Sequence, residues 1–252
     1  PFDHQAVAVV LALEEIETRT LLDNLRRFSF LLFEAEQSKY HLHDLLRDFA
    51  LKELQPEENF SASFNHASYY KEVASYANQL YLKGGEKIIA GLALFDANWL
   101  HIKAGQAWAI KEEENADAQE LAMRYPDSAV YLIELRLHPR MTIKWLKDAL
   151  SAAKFLEQKD FQGVHLGNLG IAYANLGDAK KAVAFHKEHL KVTHEIGDQH
   201  GEGAALGNLG LVYADLGDAK KAVEHYEQVL VIFREISDRR GEGAALGNLG
   251  VA

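Results

Sequence analysis

Twelve histidines, no cysteine and a set of recurring asparagines bound the chemistry open to this chain. His186, His189 and His194 fall within one helical stretch, while His41 and His43 alternate along an extended one. Neither set offers a third Cys, Asp or Glu at a metal-site spacing, so they read as surface histidines and no metal is expected. The lack of Cys excludes disulfides, thiol nucleophiles and cysteine-held metals, and fits a reducing compartment. No Ser-His-Asp arrangement or G-x-S-x-G elbow is present, so no catalytic residue is assigned. A phosphate loop needs G-x-x-x-x-G-K-[ST], and GGEK at 84–87 and GDAKK at 177–181 both fail that spacing. Neither catalysis nor a bound cofactor is expected within these 252 residues.

What the spacing does supply is a row of amides. Asn168, Asn208 and Asn248 recur every forty residues, each preceded by a glycine, Gly167, Gly207 and Gly247. Val164, Ala204, Ala244, Ile171, Leu211, Asn175 and Asp215 are expected on the same helix face. A side-chain amide both donates and accepts, so such a row can bond the backbone of an extended partner running in either direction. The structural alternative is that the amides tie neighbouring helix ends together. No Lys or Arg stands on this face, which argues against a free C-terminal carboxylate as ligand.

These residues belong to long repeats. Residues 162–201 and 202–241 are identical at 21 of 40 positions without a gap, and a third copy begins at 242. A fixed period of this size marks a stacked-repeat architecture. Each copy resolves into two helices. Leu206, Leu209 and Tyr213 keep helical spacing on the first, and Ala222, Val223, Tyr226, Leu230 and Phe233 on the second. Between them Gly217 supplies a left-handed cap and Asp218 the next N-cap. Gly207 and Gly210 each cost about 0.5–1 kcal/mol inside a helix, which predicts a neighbouring backbone pressed close against them.

L-x-x-L-G-x-x-Y, followed by Ala222 and Tyr226, resembles the tetratricopeptide repeat in the forty-residue form of kinesin light chain and the spindle-orientation scaffolds. Leu166, Leu206 and Leu246 stand where Trp is usual. The resemblance implies a mainly α fold, a right-handed solenoid of antiparallel helix pairs, whose groove asparagines hold a protein or peptide partner. From Asp127 to Gln158 the frame continues without its glycines, Ile133 matching Tyr173, Thr142 matching Ala182 and Leu150 matching Leu190. This makes 126–161 a degenerate first copy, as the end of a solenoid requires.

Upstream, residues 3–13 read as a buried helix and 17–28 as an amphipathic one with Leu21, Leu22 and Leu25 inward. Two β-like runs follow at 28–33 and 39–43, then a helix at 44–54 before Pro56. That order predicts a small winged-helix domain over 1–55. YHLHDLLRDFA at 40–50 resembles the end of the winged helix in NB-ARC-type STAND NTPases, with Leu42-His43-Asp44 at the Met-His-Asp signature. The resemblance implies that, in an intact parent holding ADP or ATP and Mg, His43 reaches the β-phosphate and Asp44 fixes its loop. An imidazole donor suits that contact. A strand-end histidine beside a capped helix is the plainer alternative.

HASYY at 66–70 and FDANWLHI at 95–102 resemble the helical linker that follows the winged helix in bacterial STAND proteins, here 56–125. Its apolar residues, Leu94, Leu100, Ala107 and Trp108 among them, are expected on one side, and its Tyr and Trp residues in the core.

Composition sets the outer limits. Apolar residues make up 48%, which excludes wholesale disorder, and no run of 18 apolar residues offers a membrane span. The net charge of −10 is concentrated upstream of residue 121, which argues against nucleic acid as partner. The first ten residues lack a basic n-region, so they are no signal peptide, and a cytoplasmic location is expected. Both ends fall at helices, so the chain reads as a piece of a longer one. The unfinished copy at 242–252 is expected to fray or to pair with another molecule.

The expected function is the regulatory and sensing arm of a STAND-type signalling NTPase. Repeats would bind a protein or peptide, and the winged helix would relay this to a nucleotide-binding domain elsewhere. A stand-alone peptide-binding scaffold and a winged-helix transcriptional regulator with a repeat sensor are the alternatives.

Overall fold

The computed structural model describes residues 2–36, 38–42, 44–53 and 55–251 and is mainly helical. The chain divides into two compact units, 1–121 and 122–252.

The first unit opens with α1 (His4–Leu11) and α2 (Glu15–Arg27), followed by a hairpin of β1 (Leu31–Glu34) and β2 (Lys39–Leu42) and by α3 (Asp44–Glu53). Asp3 caps α1 by accepting from Ala6 N at 2.8 Å, and a Glu14–Glu17 capping box starts α2. The hairpin is antiparallel, with Leu31 opposite Leu42. The expected element order is present, but α1 is less buried than its sequence implies. Only Ala6 is enclosed, and Val9 and Leu11 face out. An all-round apolar helix packed on one side leaves the rest exposed.

Two long antiparallel helices complete this unit, α4 (Pro56–Leu82) and α5 (Glu86–Lys111). Pro56 at the first turn and a Gln55–Glu58 capping box start α4. Gly84 and Gly85 turn the chain with φ of 74° and 58°. At Gly91 the backbones meet, since a Cβ there would lie 2.9 Å from Tyr81 N. Phe95, Asn98, Ile102, Gly105 and Ala109 form the buried stripe of α5. Leu100 lies off that stripe and is 72% exposed, and Ala107 also faces out, contrary to expectation. Phe60 and Phe64 meet Trp108 edge-on.

α6 (Ala116–Ser128), α7 (Val130–Arg136) and α8 (Pro139–Phe155) follow. Pro126 removes a backbone donor inside α6, and Ala129 breaks the helix at φ −142° and ψ 43°. The regular copies then follow as α9 (Lys159–Asn175) with α10 (Ala179–Ile196), and α11 (Gln199–Asp215) with α12 (Ala219–Glu235). α13 (Arg239–Leu249) opens the next.

The copies share their local devices. Asp178 and Asp218 accept from Lys181 N and Lys221 N at 3.1 and 3.2 Å. The two ammonium groups sit 5.1 and 5.0 Å from the Tyr173 and Tyr213 ring centres. Gly177 and Gly217 take φ of 81° and 76°, the left-handed cap expected of them. One core cluster runs from Ile143 and Leu146 through Leu166, Leu169 and Tyr173 to Val212, so neighbouring copies bury each other's apolar faces.

The backbone approach expected at Gly207 and Gly210 is absent at both. Gly210 packs against the Tyr226 ring rather than a backbone, and a Cβ on Gly207 would have nothing within 4 Å.

Candidate functional site

Asn168, Asn208 and Asn248 occupy equivalent places on α9, α11 and α13 and are all half-buried. Among the described residues none of the three side-chain amides makes a hydrogen bond. One turn on, Ile171 and Leu211 are 42% and 47% exposed, and Val164 is 47% exposed one turn back. Asn175 and Asp215 are exposed at the helix ends. The face therefore repeats an unengaged amide beside an uncovered aliphatic side chain. Gly207 and Gly247 have open space where a side chain would be, but Gly167 does not. It is buried, and a Cβ on it would meet His189 Cε1 at 3.0 Å, so Gly167 serves helix packing and leaves the expected face.

A cavity of about 380 Å³ opens between α7, α8 and α9, with Asn168, Ile171 and Asn175 in its wall beside Ile133, Glu134 and Trp145. Its origin is legible in the repeat frame. Ile133 stands where the regular copies carry Tyr173 and Tyr213, and Pro126 where they carry Leu166 and Leu206, so side-chain volume is missing there. The wall carries one acid, Glu134, and no Lys or Arg. The site suits an apolar side chain anchored among Ile133, Trp145 and Ile171, with its backbone near the asparagine amides.

The histidines divide differently from expectation. His194 is a surface residue paired with Glu202 at 2.7 Å. His186 and His189 are core residues, 1% and 8% exposed, and His165 is fully buried. The repeat itself held the signal: these three align with Tyr226, Val229 and Ala205, all enclosed in the next copy. His41 meets Glu34 across the hairpin at 3.2 Å. His43 lies outside the described residues, as does the side chain of Asp44, whose backbone begins α3. Among the described residues no group of three or more His, Cys, Asp or Glu is placed to hold a metal. Likewise, no described helix is long and apolar enough to cross a membrane.

Residues 161–235 and 201–252 match the family model described as tetratricopeptide repeat, in agreement with the paired helices and their caps. Residues 161–252 thus carry tetratricopeptide repeats, a class of helix-pair solenoid that generally mediates protein–protein interaction. Among solved structures the chain is similar to BtubC (BKLC) from P. vanneervenii, at 14% identity and a TM-score of 0.48, over 74% of this chain and 80% of that one. It is also similar to a signal transduction ATPase with numerous domains (STAND) protein with a tetratricopeptide repeat sensor from Pyrococcus horikoshii. There the identity is 14% and the TM-score 0.43, over 99% of this chain and 50% of that one. The chain thus spans half the length of the latter. No curated protein sequence matches it.

Proposed function

We propose that the repeats bind an extended protein segment or peptide along α9, α11 and α13. The observation that carries this is the threefold recurrence of an unengaged, half-buried amide beside an exposed aliphatic residue, forty residues apart. A segment crossing the copies meets the same donor, acceptor and apolar contact at each. The cavity beside Asn168 and Ile171 gives one end of that segment an anchor. Each amide bond is worth about 0.5–1.5 kcal/mol net, so one substitution weakens binding only a few-fold to about tenfold.

On this reading the chain is the sensing arm of a STAND-type signalling NTPase, with 1–55 as the winged-helix relay and 56–125 as the linker. The helix, helix, hairpin, helix order and the Leu42-His43-Asp44, HASYY and FDANWLHI segments support it. ADP or ATP and Mg would be bound by the nucleotide domain of the intact parent.

A peptide library displayed against the chain and against Asn168→Ala/Asn208→Ala/Asn248→Ala tests the groove. Selected peptides should bind the first and lose at least about tenfold in affinity on the second, whose circular dichroism stays unchanged. An unfolded variant would make the amides structural, and equal binding would remove the groove. For the sensing role, His43→Ala in the intact parent should speed ADP release. An unchanged off-rate would count against the relay.

A further inference from the structure

The first regular copy has histidine where the second has none. His165, His186 and His189 occupy the enclosed positions of Ala205, Tyr226 and Val229. The His186 ring fills the space over Gly170 and the His189 ring the space over Gly167, so α9 and α10 touch through imidazoles. Nδ1 of each lacks a hydrogen bond, and neither ring nitrogen of His165 has a well-formed one. A neutral imidazole tolerates such a place. An imidazolium there would be a buried charge with no partner, which is costly.

The surrounding groups do not rescue it. His165 faces Asp127 on α6, whose Oδ1 is 3.9 Å from its Nδ1, and the Met123 backbone offsets a little of its burial. Burial pushes the Asp127 carboxyl up to about 6, against the pull of Arg124, so that acid loses its charge as the pH falls. His186 and His189 lie close enough for the charge on one to disfavour that on the other. Asp198, the N-cap of α11, favours a charged His189, but its Oδ1 already accepts from Gly201 N at 2.9 Å. At the rim Lys159 pairs with Glu195 at 3.2 Å and exposed His194 with Glu202 at 2.7 Å, and neither pair faces the buried rings. α12 has one comparable ring, His225, whose Nδ1 also lacks a hydrogen bond and which burial also holds below the ordinary 6.5, but it is only half-buried and Gln228 and Glu224 offset part of that burial.

We propose that mild acid opens the α9–α10 pair while α11–α12 stays closed, so that the Asn168–Ile171 end of the groove is switched off. The consequence for binding rests on the groove reading above; the opening itself does not. Burial holds His165 and His186 at about 4 and keeps His189 below the ordinary 6.5. Folded rings stay neutral while the unfolded chain takes up protons at its ordinary value. The stability that these three rings contribute is therefore complete above about pH 6.5 and is lost as the pH falls toward 4, while the raised Asp127 carboxyl works in the opposite sense and offsets part of that loss.

Hydrogen exchange, corrected for the intrinsic effect of pH, tests this without any partner. From about pH 7.5 to about pH 5, protection of α9 and α10 amides should fall by at least about tenfold, and that of α11 and α12 by less than about threefold. His186→Tyr, which copies residue 226, should shrink the first drop. Parallel losses in both pairs, no loss, or an unchanged drop in the variant would overturn the proposal. Should the variant not fold, ring titration of the unaltered chain by NMR decides. His165 and His186 remaining neutral down to about pH 5 supports the switch, and titration at or above 6.5 overturns it. A negative result leaves the groove reading standing, and a groove that binds nothing leaves the opening standing.

Discussion

The Tyr226 ring lies against Gly210, at the place where an added Cβ would sit 2.8 Å from Tyr226 Cδ1. This is tighter than side-chain packing allows, so the glycine is required by its own partner helix. Gly210→Ala should cost about 1–3 kcal/mol through overpacking. Gly207, three residues earlier and with nothing within 4 Å, should behave oppositely, and Gly207→Ala should add about 0.5–1 kcal/mol of helix preference. Urea unfolding of the two variants side by side checks this. Equal shifts in midpoint would mean that ring packing does not explain the glycine.

A second relationship recurs every forty residues at the loop between copies. Glu157, Gly197 and Ser237 all adopt the left-handed region, with φ of 57°, 70° and 59°. Only the middle one is a glycine, and a side chain in that conformation costs roughly 1 kcal/mol. Ser237→Gly should raise the melting temperature, and Gly197→Ala should lower it by a similar step. If Ser237→Gly has no effect or lowers it, local strain at the loop is not what the backbone angle indicates.

How far the sequence foretold this depended on what each position repeats. Asp178, Asp218, Gly177 and Gly217 were readable because a cap needs a particular residue type, and the same type returned forty residues later. The start of α6 was not readable. It is set by Asn115, whose side chain accepts from Ala118 N at 3.0 Å, upstream of any repeated position. Leu100 was misplaced because α5 is rich in Ala, Gly and Leu all round, and its periodicity does not single out a face. His186 and His189 were misread for a different reason. Their polarity outweighed their alignment with Tyr226 and Val229, although burial in a repeat follows position more than residue type.

The joints between copies carry a pH prediction of the acid-group kind. Glu242 on α13 receives Arg234 Nε at 2.7 Å and Arg239 at 3.0 Å, and the Arg234 bond holds its carboxyl below the ordinary 4.5. The stabilisation is therefore present above about pH 4.5 and is lost as the pH falls through the lower folded value. Glu242→Gln should melt earlier than the unaltered chain at pH 7, modestly because the pair is open to solvent. The difference should narrow in strong acid and in high salt. A gap that persists at low pH would assign Glu242 a packing role instead.

The cavity between α7, α8 and α9 offers a test that separates stability from binding. Its space exists because Ile133, only 4% exposed, replaces the tyrosine of the regular copies at the position of Tyr173 and Tyr213. Ile133→Tyr restores that ring where the frame already accommodates one twice. Filling such a space typically adds about 0.5–2 kcal/mol, whereas forcing a ring into a closed core would remove about 1–3 kcal/mol. The variant should therefore melt higher. It should also weaken any selected peptide whose apolar residue anchors beside Asn168 and Ile171, while leaving contacts at Asn208 and Leu211 intact. A lower melting temperature would show that the cavity is not available to a side chain. A higher one with unchanged affinity would place the peptide's anchor elsewhere along the asparagine row.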